Sequence, residues 1–150
     1  MSLPNLLKMR QLKAHPPDAA EVQRLLAAAG RNLADARVTT ISPETRFDAA
    51  YKAIMQAALA ALMAHGFRPD TNRPGHHVTL VQGLPLTIGL TPARVTVIDT
   101  LRRKRNLSDY TGEDIDDSSA DHCIAEADRL LQDVAAWLKA HRSHLTGTQR

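Results

Sequence analysis

The chain is poor in aromatic residues: two tyrosines, two phenylalanines and one tryptophan among 150 residues. A platform of several rings for stacking single-stranded nucleic acid therefore has little to be built from. Its one cysteine, Cys123, cannot form an intramolecular disulfide, and no cysteine spacing of a structural metal site exists, so a reducing, cytoplasmic setting is expected. Nowhere do 18 uncharged apolar residues follow one another, and the N-terminal stretch has no continuous apolar core with a small-residue cleavage site; neither a membrane span nor secretion is expected. Glycine-rich phosphate loops, Walker patterns and Gly-x-Ser-x-Gly elbows are all missing. The net charge of +3 leaves polyanionic partners open without pointing to a purely charge-driven binder.

Alanine and leucine dominate instead, the composition of a packed helical protein. At 150 residues one domain is expected, large enough for a core of its own. Asp18 caps a first helix whose apolar positions Val22, Leu25, Leu26, Ala29, Leu33 and Ala36 recur at helical spacing. Ser42 as cap, Pro43 at the first helical position and Glu44 in the first turn open a second helix, which stops at His65-Gly66. Its apolar stripe, Phe47 to Met63, is wide enough for the centre of a bundle. A third helix is expected from Gly75 and His76 to Leu84 or Ile88, with Pro85 as kink or stop. Thr91-Pro92 repeats the cap-then-proline signal for a fourth, despite the β-branched run Val95 to Ile98. Ser118 with Asp121 marks the start of a fifth, carrying Cys123, Ile124, Ala127, Leu130, Leu131, Val134, Trp137 and Leu138. The expectation is an all-α, up-and-down bundle of four to five helices over residues 18–141. Residues 1–17 are expected as an N-terminal extension or short helix, and 142–150 as a flexible tail.

The chemistry-bearing candidates are few. Seven histidines suggest a metal, but adjacent His76 and His77 diverge by about 100° on a helix, and His141 and His144 fall at an expected frayed end without matching carboxylates. No metal and no cofactor are expected. Cys123 lies on the apolar stripe and reads as a core residue. The acidic residues Glu113, Asp114, Asp116 and Asp117 lack the alternation and central glycine of a calcium loop and read as a solvated loop.

There remains the strip Leu101-Arg-Arg-Lys-Arg-Asn-Leu-Ser-Asp-Tyr110. If the fourth helix ends near Asn106, the cations Arg102, Arg103, Lys104 and Arg105 complement its dipole, and the chain turns back to bring Asn106, Asp109 and Tyr110 near the same end. A guanidinium there can grip phosphate bidentately and stabilise phosphoryl-transfer charge.

With its Arg105-Asn106 pair late in the fourth helix, and Arg46-Phe47-Asp-Ala-Ala-Tyr51-Lys-Ala53 on the central one, the chain resembles the HEPN family (higher eukaryotes and prokaryotes nucleotide-binding domains). The resemblance covers residues 18 to 140. It implies a helical bundle that forms a homodimer and binds RNA or nucleotide, as a metal-independent ribonuclease toxin of a toxin-antitoxin or defence system. The other role it implies is a non-catalytic module that partners a nucleotidyltransferase or acts as antitoxin. The resemblance matches Arg105 and Asn106 to the family's catalytic strip, with Tyr110 beside them as the third candidate catalytic residue, and the cations Arg102, Arg103, Lys104 and Arg105 are the candidate RNA or phosphate contacts. The family's strip ends in histidine where this chain has Tyr110. An unperturbed phenol, with a pKa of about 10, is a poor base at pH 7. Tyr110 would instead donate a proton or position phosphate, or correspond to a tyrosine that a partner nucleotidyltransferase modifies.

Overall fold

The computed structural model describes residues 1–146. Six α-helices account for most of them: α1 (Leu3–Lys8), α2 (Ala19–Ala36), α3 (Pro43–Ala64), α4 (His76–Thr87), α5 (Pro92–Thr111) and α6 (Asp117–His141). A short 3-10 turn, Ser143–Leu145, follows α6. Two three-residue strands, β1 (Leu12–Ala14) and β2 (Phe67–Pro69), pair antiparallel with Leu12 opposite Pro69 and Ala14 opposite Phe67. The class is all-α, with this small ribbon as an addition that the sequence pattern did not announce.

The three cap signals act as expected. Asp18 accepts from the amides of Ala20 and Glu21 at the start of α2. Ser42 accepts from Thr45 ahead of α3, and Thr91 from Arg94 ahead of α5, each followed by proline at the first helical position. Each side chain satisfies amide donors that the first helical turn leaves unpaired.

Helix α3 is the axis of the bundle. Phe47, Ala50, Tyr51, Ile54, Ala57, Ala58, Ala61 and Leu62 are all buried, and the helix is apolar nearly all round because α2, α4 and α6 cover different sides of it. Its many alanines have no bulk to hold neighbours away, so dispersion contacts accumulate along its length.

Several boundaries differ from the sequence reading. Pro85 does not stop α4: the helix runs through it to Thr87, next to the longer of the two expected ends, and the stop is supplied by Gly89, whose φ is +69°. Helix α5 does not end near Asn106 but continues to Thr111, where Gly112 at φ +71° caps it. Nothing between Asn106 and Thr111 breaks a helix, and Arg105 and Asp109 pair one turn apart across that stretch. The cap of α6 is Asp116, which accepts from Ser119 at 2.8 Å, rather than Ser118.

The ends of the chain are also more engaged than expected. Leu3, Leu6 and Leu12 are buried in the common core, so residues 1–17 form a helix and a strand that belong to the bundle. Leu145 is buried and its carbonyl accepts from Gln23 at 2.7 Å, so the described part of the expected flexible tail is docked; residues 147–150 lie outside the described residues. No helix among the described residues is long and apolar enough to cross a membrane.

Candidate functional site

Because α5 continues past Asn106, the cations Arg102 to Arg105 lie inside a helix rather than in its last turn, and dipole complementation, which fades within one turn, does not account for them. Carboxylates do part of that work. Asp99 accepts from Arg102 at 2.8 Å and lies 2.9 Å from Arg103. Burial works to raise the Asp99 pKa, but the Arg102 hydrogen bond and the Arg102 and Arg103 charges bring it below the ordinary value. The basic run is thus not a uniform cationic handle.

Arg105 is held differently. Its Nε is 3.4 Å from Asp109 and 3.9 Å from Asp48, yet this buried nitrogen has no hydrogen-bond partner among the described residues. The guanidinium carbon stands 5.1 Å from the centroid of the Tyr51 ring, a cation–π contact. The Tyr51 hydroxyl in turn lies 3.0 Å from Nδ1 of His77. Three helices therefore contribute to one cluster: Tyr51 from the middle of α3, His77 from the first turn of α4, and Arg105, with Arg102 nearby, from α5.

The electrostatics of the cluster determine its protonation. Burial pushes the Tyr51 phenol up to about 12, against the opposing pull of Arg105 and Arg102, so it stays protonated at neutral pH. Burial lowers the pKa of His77, and the charges of His76, Arg105 and Arg102 lower it further, so the imidazole is neutral. A buried phenolic O–H requires an acceptor, and among the described residues only His77 Nδ1 lies within bonding distance. Tyr51 accordingly donates to Nδ1, which places the imidazole proton on Nε2. Its ring and guanidinium groups then present donors, the Nε2–H of His77 and the guanidinium of Arg105, while the bases of the cluster are the carboxylates of Asp48 and Asp109. Asp48 at its edge is raised by burial and by Asp109, with Arg105 opposing.

The strip identified from sequence divides accordingly. Arg105 and Arg102 join the cluster. Lys104 and Asn106 are half-buried on α5, and the Lys104 charge acts on Asp116 rather than on the cluster. Tyr110 is 87% exposed and, five residues on from Arg105, points about 140° away around the helix, so Arg105, Asn106 and Tyr110 do not converge within one chain. The two residues that sequence reasoning missed as site members are Tyr51 and His77. In the sequence Tyr51 stands out only as part of the central-helix motif, and His77 only as a candidate metal ligand.

Elsewhere, Cys123 is fully buried, its thiol pushed up to about 12 by burial with Asp48 and Glu126 adding to the rise, and its Sγ contacts the Phe47 carbonyl at 3.8 Å. It is a core residue and not a nucleophile. No group of three or more histidine, cysteine or acidic side chains gathers around a common point among the described residues. No family model and no curated protein matches the chain.

Proposed function

We propose that this protein is an RNA- or nucleotide-binding helical bundle of the HEPN kind, whose phosphate-recognising side chains are Arg105, Arg102 and His77. One observation carries the reading: the Arg105 guanidinium rests on Tyr51 with its buried Nε hydrogen-bonded to neither nearby carboxylate, beside a neutral imidazole with a donor to spare. A planar guanidinium left unsaturated by its own carboxylates suits a bidentate phosphate. The resemblance of the Arg105-Asn106 and Phe47 to Tyr51 stretches to the HEPN pattern supports RNA as the source of that phosphate.

The tautomer speaks against His77 as the base of a cleavage reaction. A 2′-hydroxyl attacks phosphorus only if a base takes its proton, and the Tyr51 O–H occupies the basic nitrogen of His77. The decisive experiment follows a labelled single-stranded RNA with wild type, Arg105→Ala and His77→Gln in EDTA, recording binding and chain cleavage together. The expected result is a loss of affinity of about tenfold or more in Arg105→Ala without cleavage in any sample. Unchanged affinity in Arg105→Ala removes the reading. EDTA-resistant cleavage that disappears in His77→Gln replaces it with a metal-independent ribonuclease.

A second reading, a module that docks a protein partner such as a nucleotidyltransferase or the other member of a toxin-antitoxin pair, is supported by the outward side of α5, where Leu107 is 50% and Tyr110 87% exposed. Copurification of the protein encoded beside this one, lost in Leu107→Glu with RNA affinity intact, is the expected signature. Self-association into the homodimer that the resemblance implies is tested by light scattering on the purified chain.

A further inference from the structure

The ion pairs of the bundle are unevenly distributed. Each arginine of α5 lies within 3.4 Å of a carboxylate, whereas Arg24, Arg31, Lys52 and Arg68 are exposed, and no ion pair or side-chain hydrogen bond joins them to a described residue. These four cations share one face. Two adjoining hollows of about 410 and 490 Å³, which have Ala28 and Arg31 in common, form a continuous groove along the α2–α3 pair. Only residues of α2, α3 and β2 line it, while α6 packs against both helices elsewhere. The Asn32 amide donates to Gln56 at 2.8 Å and marks the register of this antiparallel pair, with Leu25 level with Met63, Ala28 with Leu59, and Asp35 with Lys52. Leu25, Ala28, Leu59 and Met63 therefore make an apolar floor toward one end, with Arg24 and Arg31 on its α2 wall and Arg68 on its β2 side. Beyond the Asn32–Gln56 bond, Lys52 and Asp35 close the other end. The acid beside the apolar floor, Glu21, is already engaged by His15 at 2.8 Å.

We infer that this groove docks an acidic amphipathic helix of a protein partner, its apolar row on Leu25, Ala28, Leu59 and Met63 and its flanking carboxylates at Arg24, Arg31, Lys52 and Arg68. The surface is separate from the Arg105 cluster and the inference does not depend on phosphate binding there. Charge complementarity carries it. An apolar floor with unpaired cations on both walls is the complement of a helix whose apolar stripe is bordered by acids, as helix-in-groove recognition and the flanking charges of coiled coils require. Arg24 and Arg31 stand two turns apart on one side of α2, so carboxylates seven residues apart on the incoming helix reach both. From Arg24 to Asp35 the wall rises about 16 Å, the length of about three helical turns. A nucleic-acid backbone would meet the cations and leave the apolar floor uncovered, whereas an amphipathic helix covers both.

The test is fluorescence anisotropy of the full chain with a labelled peptide of about 15 residues, long enough for a helix of this span, carrying leucines at i, i+3, i+4 and i+7 bordered by glutamates. Wild type is compared with the double variant Arg24→Glu/Arg31→Glu, both at exposed positions, and with Arg105→Ala, circular dichroism confirming the helical content of each. Wild type should bind the acidic peptide, and the double variant should bind it about tenfold or more weakly. A peptide with lysine in place of each glutamate should reverse that order, and one with serine in place of each leucine should lose affinity for wild type. Arg105→Ala should bind the acidic peptide as wild type does, so failure here and failure of the phosphate-binding reading are told apart. No binding by wild type, equal binding by the double variant, or undiminished binding of the serine peptide overturns the inference. Single-stranded RNA that displaces the peptide and loses affinity in the same double variant makes the groove a nucleic-acid surface and overturns the protein occupant. So does a dimer, seen by light scattering, that the double variant dissociates, since a second copy then fills the groove.

Discussion

The two ends of α5 each present an arginine to the bundle, and they are treated in opposite ways. Arg94 near the N-terminal end is nearly enclosed: its Nε donates to Glu126 at 3.1 Å, its Nη1 donates to Asp133, and together they tie α5 to α6. Burial acts to lower the Arg94 pKa, but the hydrogen bonds of both carboxylates more than offset it. Arg105 toward the other end is near two carboxylates at longer range and hydrogen-bonds to neither. A guanidinium that donates to two carboxylates is a fastener, even with its Nη2 left without a partner among the described residues, because its charge is already spent within the fold. One that hydrogen-bonds to no carboxylate, braced by an aromatic face, retains the capacity to bind an anion.

The largest expected effect comes from breaking the fastener. Arg94→Ala leaves Glu126, itself almost buried, as an unpaired carboxylate and should cost about 3 kcal/mol in chemical denaturation, with RNA affinity unaltered when measured below the unfolding transition. Arg105→Ala should show the reverse pattern: a stability change of about 1 kcal/mol or less, since its pairs are partly solvated, with RNA or nucleotide affinity reduced about tenfold or more. If both variants lose stability alike and neither loses binding, the contrast between the two arginines is void.

Two of the partly buried histidines, His65 and His77, sharpen the same contrast through pH. Burial lowers the pKa of His65 and of His77, so the folded state resists their protonation. Their contribution to stability is complete above the ordinary histidine value near 6.5 and is lost as pH falls from there through the lowered folded values. Denaturation midpoints should therefore drop between pH 7.5 and 5, and by less in His65→Gln, whose ring is stacked on Trp137 with centroids 4.8 Å apart. Phosphate affinity should move the opposite way, rising on acidification as a bound anion favours protonated His77, and His77→Gln should abolish that rise. The smallest effect is expected from Tyr110→Phe, within about 0.5 kcal/mol of wild type in stability and equal to it in RNA binding, because the ring is exposed and turned away from Arg105.

The legible parts of the sequence were those governed by near neighbours. Asp18, Ser42-Pro43 and Thr91-Pro92 mark helix starts because a cap bonds amides two or three residues away, and the stripe on α3 is periodic because one helix meets core along its whole length. The end of α5 was misplaced by one to two turns because the polar run after Arg105 resembles a loop in composition, whereas the αL residue that terminates the helix, Gly112, lies further on. At the site, Arg105 was legible as a cation of unusual placement, but its companions were not: Tyr51 precedes it by 54 positions and His77 by 28, and no spacing rule connects residues so far apart.

By itself the sequence determined an all-helical chain, the starts of its main helices and the identity of its central one, since capping, proline placement and apolar periodicity act over a single turn. Only the tertiary structure decided that Leu3, Leu12 and Leu145 join the core, and that the aromatic of α3, the histidine of α4 and the arginine of α5 meet. The reason is physical: the angle at which α4 and α5 settle on α3 is set by how buried side chains of three separate segments fill space together, and that angle selects which polar groups at their edges become neighbours.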